Sequence, residues 1–433
     1  MTGPVRAVRT ARPVRTAPPV APPSGSPAPV AALALDARHS RASATPRLLS
    51  WTRIIVAGLL LVLGIVGVIS LDQNAALIAE GNQHAEQSIR LYSIGTKLVQ
   101  AQNAGLTSLV ATDRQTEFET KATDALADVA RLTVEASANP VTSDDQVALE
   151  TVAASVADYT GKLNRVVFAG DSASKTDLAA TSAALDKLLK TIDDLRTTES
   201  DRAAALLGYS ALSAPLVIAI VALVALLAAT AVLARASHRV LNVGLLVAAG
   251  CAVTIIAGVA SLAHGMPGAT AGFDAASLNS SIRRDVALIY RIDIEAIATQ
   301  SSSGVDAQVK TLTNAARAGV ASLQQFTGDP APGTWLTMFS SEQSKVSGLL
   351  NSGKWADAAT EATADTTSSL VKVAASLDET LVVSQDTSLP DARAEVNGEL
   401  LALRVWTWLV AGFALAGTIA AWLGVGARLK EYR

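Results

Sequence analysis

Four uncharged apolar runs interrupt a chain that is otherwise patterned as amphipathic helix. They occupy residues 54–71, 212–234, 240–263 and 405–427, and none contains Asp, Glu, Lys or Arg. Each is about 18 to 24 residues long, enough at 1.5 Å per residue to cross a hydrocarbon core of ~30 Å. About 140 residues separate the first run from the second, and about 140 the third from the fourth. Only Arg235-Ala-Ser-His-Arg239 lies between the second and third. The pattern predicts an all-α membrane protein with four transmembrane helices and two extracytoplasmic four-helix bundles in tandem, over 72–211 and 264–404.

The polar segments carry helical periodicity. Leu71, Ile78, Ala85, Tyr92, Val99 and Leu106 recur every seven residues, a seam that leaves the first apolar run without a Pro break. Leu178, Leu185 and Ile192, with Thr181, Leu188 and Leu195, form a second such seam leading to the second run. Between them, 118–136 and 146–168 read as shorter helices, separated by breaks at Asn139-Pro140 and Gly170-Asp171. Together these make an up-down-up-down bundle. The second polar segment reads likewise. Helices are expected over 281–299, 306–326 and 335–351. A long helix then opens after Ser352-Gly353, with a kink or break at Pro390.

Charge orients this plan. Residues 1–53 hold eight Arg, no Lys and one acid, Asp36, a balance of +7; the remainder stands at −10 for a net charge of −3. The basic 1–50 segment, the 235–239 loop and the 428–433 tail fall on one side of the membrane if the four spans alternate. Arg and Lys resist translocation, so that side is the cytoplasm and both large domains lie outside. Trp51 and Trp422 sit at the expected inner ends of their spans, Trp406 and Trp408 at the outer end of the fourth.

Composition adds smaller points. Half of the residues are apolar and 17% are charged. The first span follows about 50 residues and no A-x-A-like cleavage signal, so it reads as an uncleaved anchor. Residues 1–48 are rich in Pro, Arg and Ala, a disordered tail that sets topology near anionic lipid. Cys251, the one cysteine, lies inside the third span, so the outer domains hold no disulfide. Gly58, Gly64 and Gly67, and Gly412, Ala416 and Ala420, permit close packing between spans.

Ordered matches suggest duplication. Ser70-Leu71 and Ser261-Leu262 end the odd-numbered runs, Ser88-Ile-Arg90 and Ser281-Ile-Arg283 follow them, and Tyr92 and Tyr290 lie just beyond. The stretch Leu349-Leu-Asn-Ser-Gly-Lys-Trp-Ala-Asp-Ala-Ala359, and Phe168-Ala-Gly-Asp171 before another Leu-spaced helix, resemble the four-helix-bundle sensor domains of bacterial chemoreceptors and sensor kinases. The whole architecture, with four spans, two outer bundles, an Arg/Pro tail and no output domain, resembles the actinobacterial GlnX-type membrane proteins. That resemblance implies a relay from an extracytoplasmic amino-acid-binding lipoprotein to a cytosolic serine/threonine kinase. The implied partners are membrane lipid, that lipoprotein, that kinase and a second copy of the chain, with no nucleic acid.

Catalysis finds little footing. His39, His84, His238 and His264 are scattered, and none has metal-ligand spacing to another His, Cys or carboxylate. No catalytic residue, metal or cofactor is expected. Ser172-Ala-Ser-Lys175 fits S-x-x-K, a match that an Ala/Ser/Lys-rich helix start gives by chance. The spans hold no charged residue for a transport cycle. The expected function is therefore signal relay from an extracellular solute, such as aspartate or glutamate. The alternative is a structural scaffold of an envelope complex.

Two residue sets follow. Arg90 and Arg283 are equivalent in the repeat, and Arg284 adjoins the second; the resemblance implies guanidinium groups of a first helix holding a ligand carboxylate or a partner. Arg291, beside Asp293 and Glu295, reads as an exposed helical arginine. Glu199 and Arg202 occupy apolar heptad positions near the second span, where polar residues are normally excluded. They read either as an exposed i,i+3 pair or as a loose joint for signal transfer.

Overall fold

A computed structural model describes residues 30–138, 140–169, 174–208, 213–237, 243–262 and 267–431. Among these, the chain folds into eleven α-helices and one 3-10 turn, with no strand. The first four helices are α1 (Val30–Val110), α2 (Gln115–Ala138), α3 (Ser143–Ala169) and α4 (Lys175–Gly208). Two apolar helices follow, α5 (Ser213–Ser237) and α6 (Val243–Leu262). The rest are α7 (Pro267–Thr299), α8 (Val305–Thr327), α9 (Ala331–Asn351), α10 (Trp355–Thr363) and α11 (Leu370–Glu431).

Local chemistry sets several boundaries. Thr142 and Asp145 form a capping box at the start of α3: the Asp145 amide donates to Thr142 Oγ1, and the Thr142 amide donates to Asp145 Oδ2. Ser174 caps α4 through the Asp177 amide and donates its hydroxyl to the Asp177 carboxylate. Gly328, at φ 70°, closes α8 in the left-handed region and donates to the Gln324 carbonyl.

Most heptad positions read from the sequence pack inward, with Tyr92 and Leu195 only half-buried. Leu71, Ile78, Ala85, Val99 and Leu106 of α1 are buried. Helices α1 to α4 share a core containing Leu98, Val129, Val152, Leu163, Leu185 and Ile192. Helices α7 to α11 share another, containing Ile289, Ile294, Leu323, Phe339, Leu370 and Leu377. The two groups are not separate bodies. α1 packs along both α7 and α11, and Leu106, Val166 and Leu178 enter the core of the second group.

Three described helices contain stretches long and apolar enough to cross a membrane, within Ser50–Val110, Val243–Ala260 and Leu370–Ala427; the apolar stretch of α5, Leu216–Ala231, is shorter. These stretches of α1, α5, α6 and α11 meet in one cluster that includes Leu60, Leu226, Leu245, Ala248 and Val425. Their outward residues, such as Ile55, Val62, Ile65, Val224, Val247 and Leu415, are exposed, as a lipid-facing belt requires. Gly244 lets α6 approach the α11 backbone so closely that a Cβ there would lie 2.3 Å from the Ala420 carbonyl oxygen. Gly64 and Gly67 face Ala414 and Val410 of α11 in the same way, whereas Gly58 and Gly412 face open space. Arg53 lies over the Trp422 ring at 3.4 Å, while Trp51 and Trp408 are exposed.

Several expectations need correction. Residues 30–50 are not a disordered tail but the first turns of α1. Their Val30-Ala-Ala-Leu-Ala-Leu run favours helix and extends one already nucleated. Pro390 does not end a helix. α11 runs through it with Pro390 exposed and Ala392 packed inward, so tertiary contact outweighs the lost hydrogen bond. The last long helix does not open at Ser352-Gly353. The short α10 and a connection to Leu370 intervene, because Gly353 turns left-handed at φ 69°. Asn139, Gly170-Asp171, Ser172, His238, Arg239, Asn242 and His264, and residues 1–29 and 432–433, lie outside the described residues.

Candidate functional site

The seam between the two helical groups is polar and specific. Arg284 of α7 forms a two-pronged pair with Asp193 of α4. Arg291 of α7 reaches Asp186 of α4 at 2.7 Å and Glu295 at 3.5 Å. It is 7% exposed, which overturns its reading as an exposed arginine. Asn103 of α1 donates to the Ala287 carbonyl at 2.8 Å, and Thr107 meets the Tyr290 hydroxyl at 3.2 Å. Arg114 donates to the Thr363 carbonyl, and Arg393 of α11 reaches Glu86 of α1 at 2.9 Å.

These contacts separate the three predicted arginines. Arg90 pairs with Glu86 at 3.3 Å, the same carboxylate that Arg393 engages. Arg284 is spent on Asp193. Arg283 lines a cavity, where it donates to Asp378 at 2.7 Å and to Gln385 at 3.2 Å.

That cavity measures about 410 Å³ and lies in the seam between α1, α2, α7 and α11. Its cations are Lys97, Lys121 and Arg283; its carboxylates include Asp124, Asp128 and Asp378. Lys97 pairs with Asp128 at 2.9 Å and its hydrogen bond holds that carboxyl below its ordinary value. Lys121 lies 4.8 Å from the Phe118 ring. Asn103 contributes a buried side-chain oxygen, Oδ1, that accepts no hydrogen bond. Such an unspent acceptor beside fixed charges of both signs suits a small zwitterionic solute.

A second polar cluster sits nearer the apolar segments. His84 Nδ1 of α1 lies 2.6 Å from Glu199 Oε2 of α4. Arg202 pairs with Asp145 at 2.7 Å and lies 3.7 Å from Glu199 Oε1. His84, Asp145 and Glu199 are all buried. Burial pushes the Glu199 carboxyl above its ordinary value, against the opposing His84 contact and with Asp145 adding to the rise. Asp145 also feels burial, but hydrogen bonds from Thr142, Glu199 and Arg202 outweigh it and hold the group low. The two carboxyl groups therefore shift in opposite directions, Glu199 through burial and Asp145 through its hydrogen bonds. Of the expected exposed pair, Glu199 is thus buried and Arg202 only partly exposed. Sequence spacing hid this cluster, since His84 and Glu199 lie 115 residues apart. The one available signal was a charged residue at an apolar heptad position.

Comparison of the chain with family models, with curated proteins and with solved structures gives no match.

Proposed function

We propose that the protein is a transmembrane signal-relay protein. In this reading α1, α5, α6 and α11 cross the membrane as four spans, and α1–α4 and α7–α11 form two helical bundles outside the cell. The Arg-rich segments before and between the spans favour that orientation. The seam cavity takes a small zwitterionic solute of the amino-acid class, such as aspartate or glutamate, delivered free or by a solute-binding lipoprotein. The output reaches a cytosolic partner such as a serine/threonine kinase.

The observation that carries the reading is where the cavity lies. It is lined by residues of α1 and α11, which among the described residues continue without interruption into apolar segments. Occupancy that moves α1 against α11 is therefore felt in the spans. Calorimetry of the full chain with L-glutamate and L-aspartate tests this. Arg283→Gln should weaken binding by about 10-fold or more, the scale of one lost charge-assisted contact. Arg90→Gln should change it little. Equal binding by both variants and the parent would remove the cavity from consideration.

A further inference from the structure

We propose that His84, Asp145 and Glu199 form a binding site for one divalent first-row transition cation. One nitrogen or oxygen from each residue lies within 4.8 Å of the others, and the three residues come from α1, α3 and α4. An imidazole nitrogen with two carboxylate oxygens is a donor set that Zn²⁺ accepts at 2.0–2.2 Å. It suits Ca²⁺ and Mg²⁺ poorly, because those ions take oxygen almost exclusively.

A second observation points to a ligand. Glu199 is fully buried, yet its Oε1 accepts no hydrogen bond. Its nearest cation, Arg202, stands at 3.7 Å and is committed to Asp145. The surroundings also match what metal ligands require. Metal-bound histidines usually turn their other ring nitrogen to a carboxylate, and His84 Nε2 faces Glu80 at 3.9 Å. Asp145 Oδ2 is oriented by the Thr142 amide and hydroxyl. Beside the buried donors, Arg202 is partly exposed and Glu80 exposed.

Binding would spread His84 Nδ1 and Glu199 Oε2 from 2.6 Å to the ~3.3 Å that neighbouring ligands keep around a tetrahedral ion. Metal ligands bind in their deprotonated forms, so any proton on these groups leaves to solvent as the cation enters. The bound ion would then join α1, α3 and α4 above the apolar segments.

The test uses the full chain in detergent, stripped with chelator and titrated with Zn²⁺ by calorimetry in two buffers of different ionisation enthalpy. The expected result is one Zn²⁺ per chain with proton release, and a Tm raised by several degrees. Glu199→Gln and His84→Gln should lose more than the ~10–100-fold in affinity that loss of a supporting residue costs. Asp306→Asn, at an exposed helix end, should bind as the parent does. If His84→Gln fails to fold, Glu199→Gln and Asp145→Asn, which keep side-chain volume, decide the matter. No stoichiometric uptake by the parent would mean a hydrogen-bonded network only and would overturn the proposal. So would uptake undiminished in the variants. Neither outcome bears on solute binding in the seam cavity, which these measurements do not touch.

Discussion

Asp293 shows what burial does to a carboxyl group without a cation. It is fully buried in α7, Gln343 approaches at 3.5 Å, and Oδ2 accepts no hydrogen bond. Burial pushes its pKa up to about 8, Gln343 opposes this, and Asp306 adds to it. An unfolded aspartate titrates near 3.9. Between those values the folded chain holds a proton that the unfolded chain has released. Stability from this group is therefore fully present below pH ~4 and falls as pH rises through about 8. Thermal unfolding between pH 5 and 8 should show a loss on the order of a few kcal/mol. Asp293→Asn, which cannot ionise, should flatten that slope; an unchanged slope would place the titration elsewhere. The position reads as an ordinary polar neighbour of Arg291 in the sequence. Only the packing of α9 against α7 reveals that Asp293 has no counter-ion among the described residues.

Among the elements, the long helices were legible and their contacts were not. Uninterrupted apolar runs and seven-residue spacing follow from local chemistry, so α1, α4 and the apolar part of α11 could be placed from the chain alone. Pro390 could not, because its effect depends on what α11 packs against. Pro390→Ala should stabilise the protein by about 1–3 kcal/mol in a denaturation series, since it restores a helical N–H donor at an exposed position. Loss of stability would mean that the proline's shape is needed. Gly244 and Gly58 make a matched pair. A side chain at Gly244 meets the α11 backbone at 2.3 Å, while one at Gly58 meets nothing within 4 Å. Gly244→Val should cost about 1–3 kcal/mol, and Gly58→Ala should be neutral in the same thermal assay. Equal effects at both sites would refute the close α6–α11 contact.

At the scale of the whole molecule, the departure from a simple tandem is the lateral seam. Two helical groups were predicted, each hung from its own apolar segments. Instead Arg284–Asp193, Arg291–Asp186 and Arg393–Glu86 tie them into one body. None of these pairs could be read from spacing, because each joins residues some 90 to 310 positions apart, and each partner alone looks like a solvated helical charge. The candidate site shares that origin. Arg283 was singled out from the repeat, but its cavity exists only because α1 and α2 close over α7 and α11. In the proposed relay, solute binding passes to the apolar segments through α1 and α11. A rigid scaffold built this way would not respond to solute. Spin labels at exposed Gln73 of α1 and Asn397 of α11, in the full chain with Cys251→Ser and reconstituted in lipid nanodiscs, distinguish the two. Pulsed electron resonance should report a shifted distance distribution on saturation with L-glutamate or L-aspartate, and Arg283→Gln should abolish the shift at the same concentration. An identical distribution with and without solute, at concentrations where calorimetry shows binding, would contradict the relay.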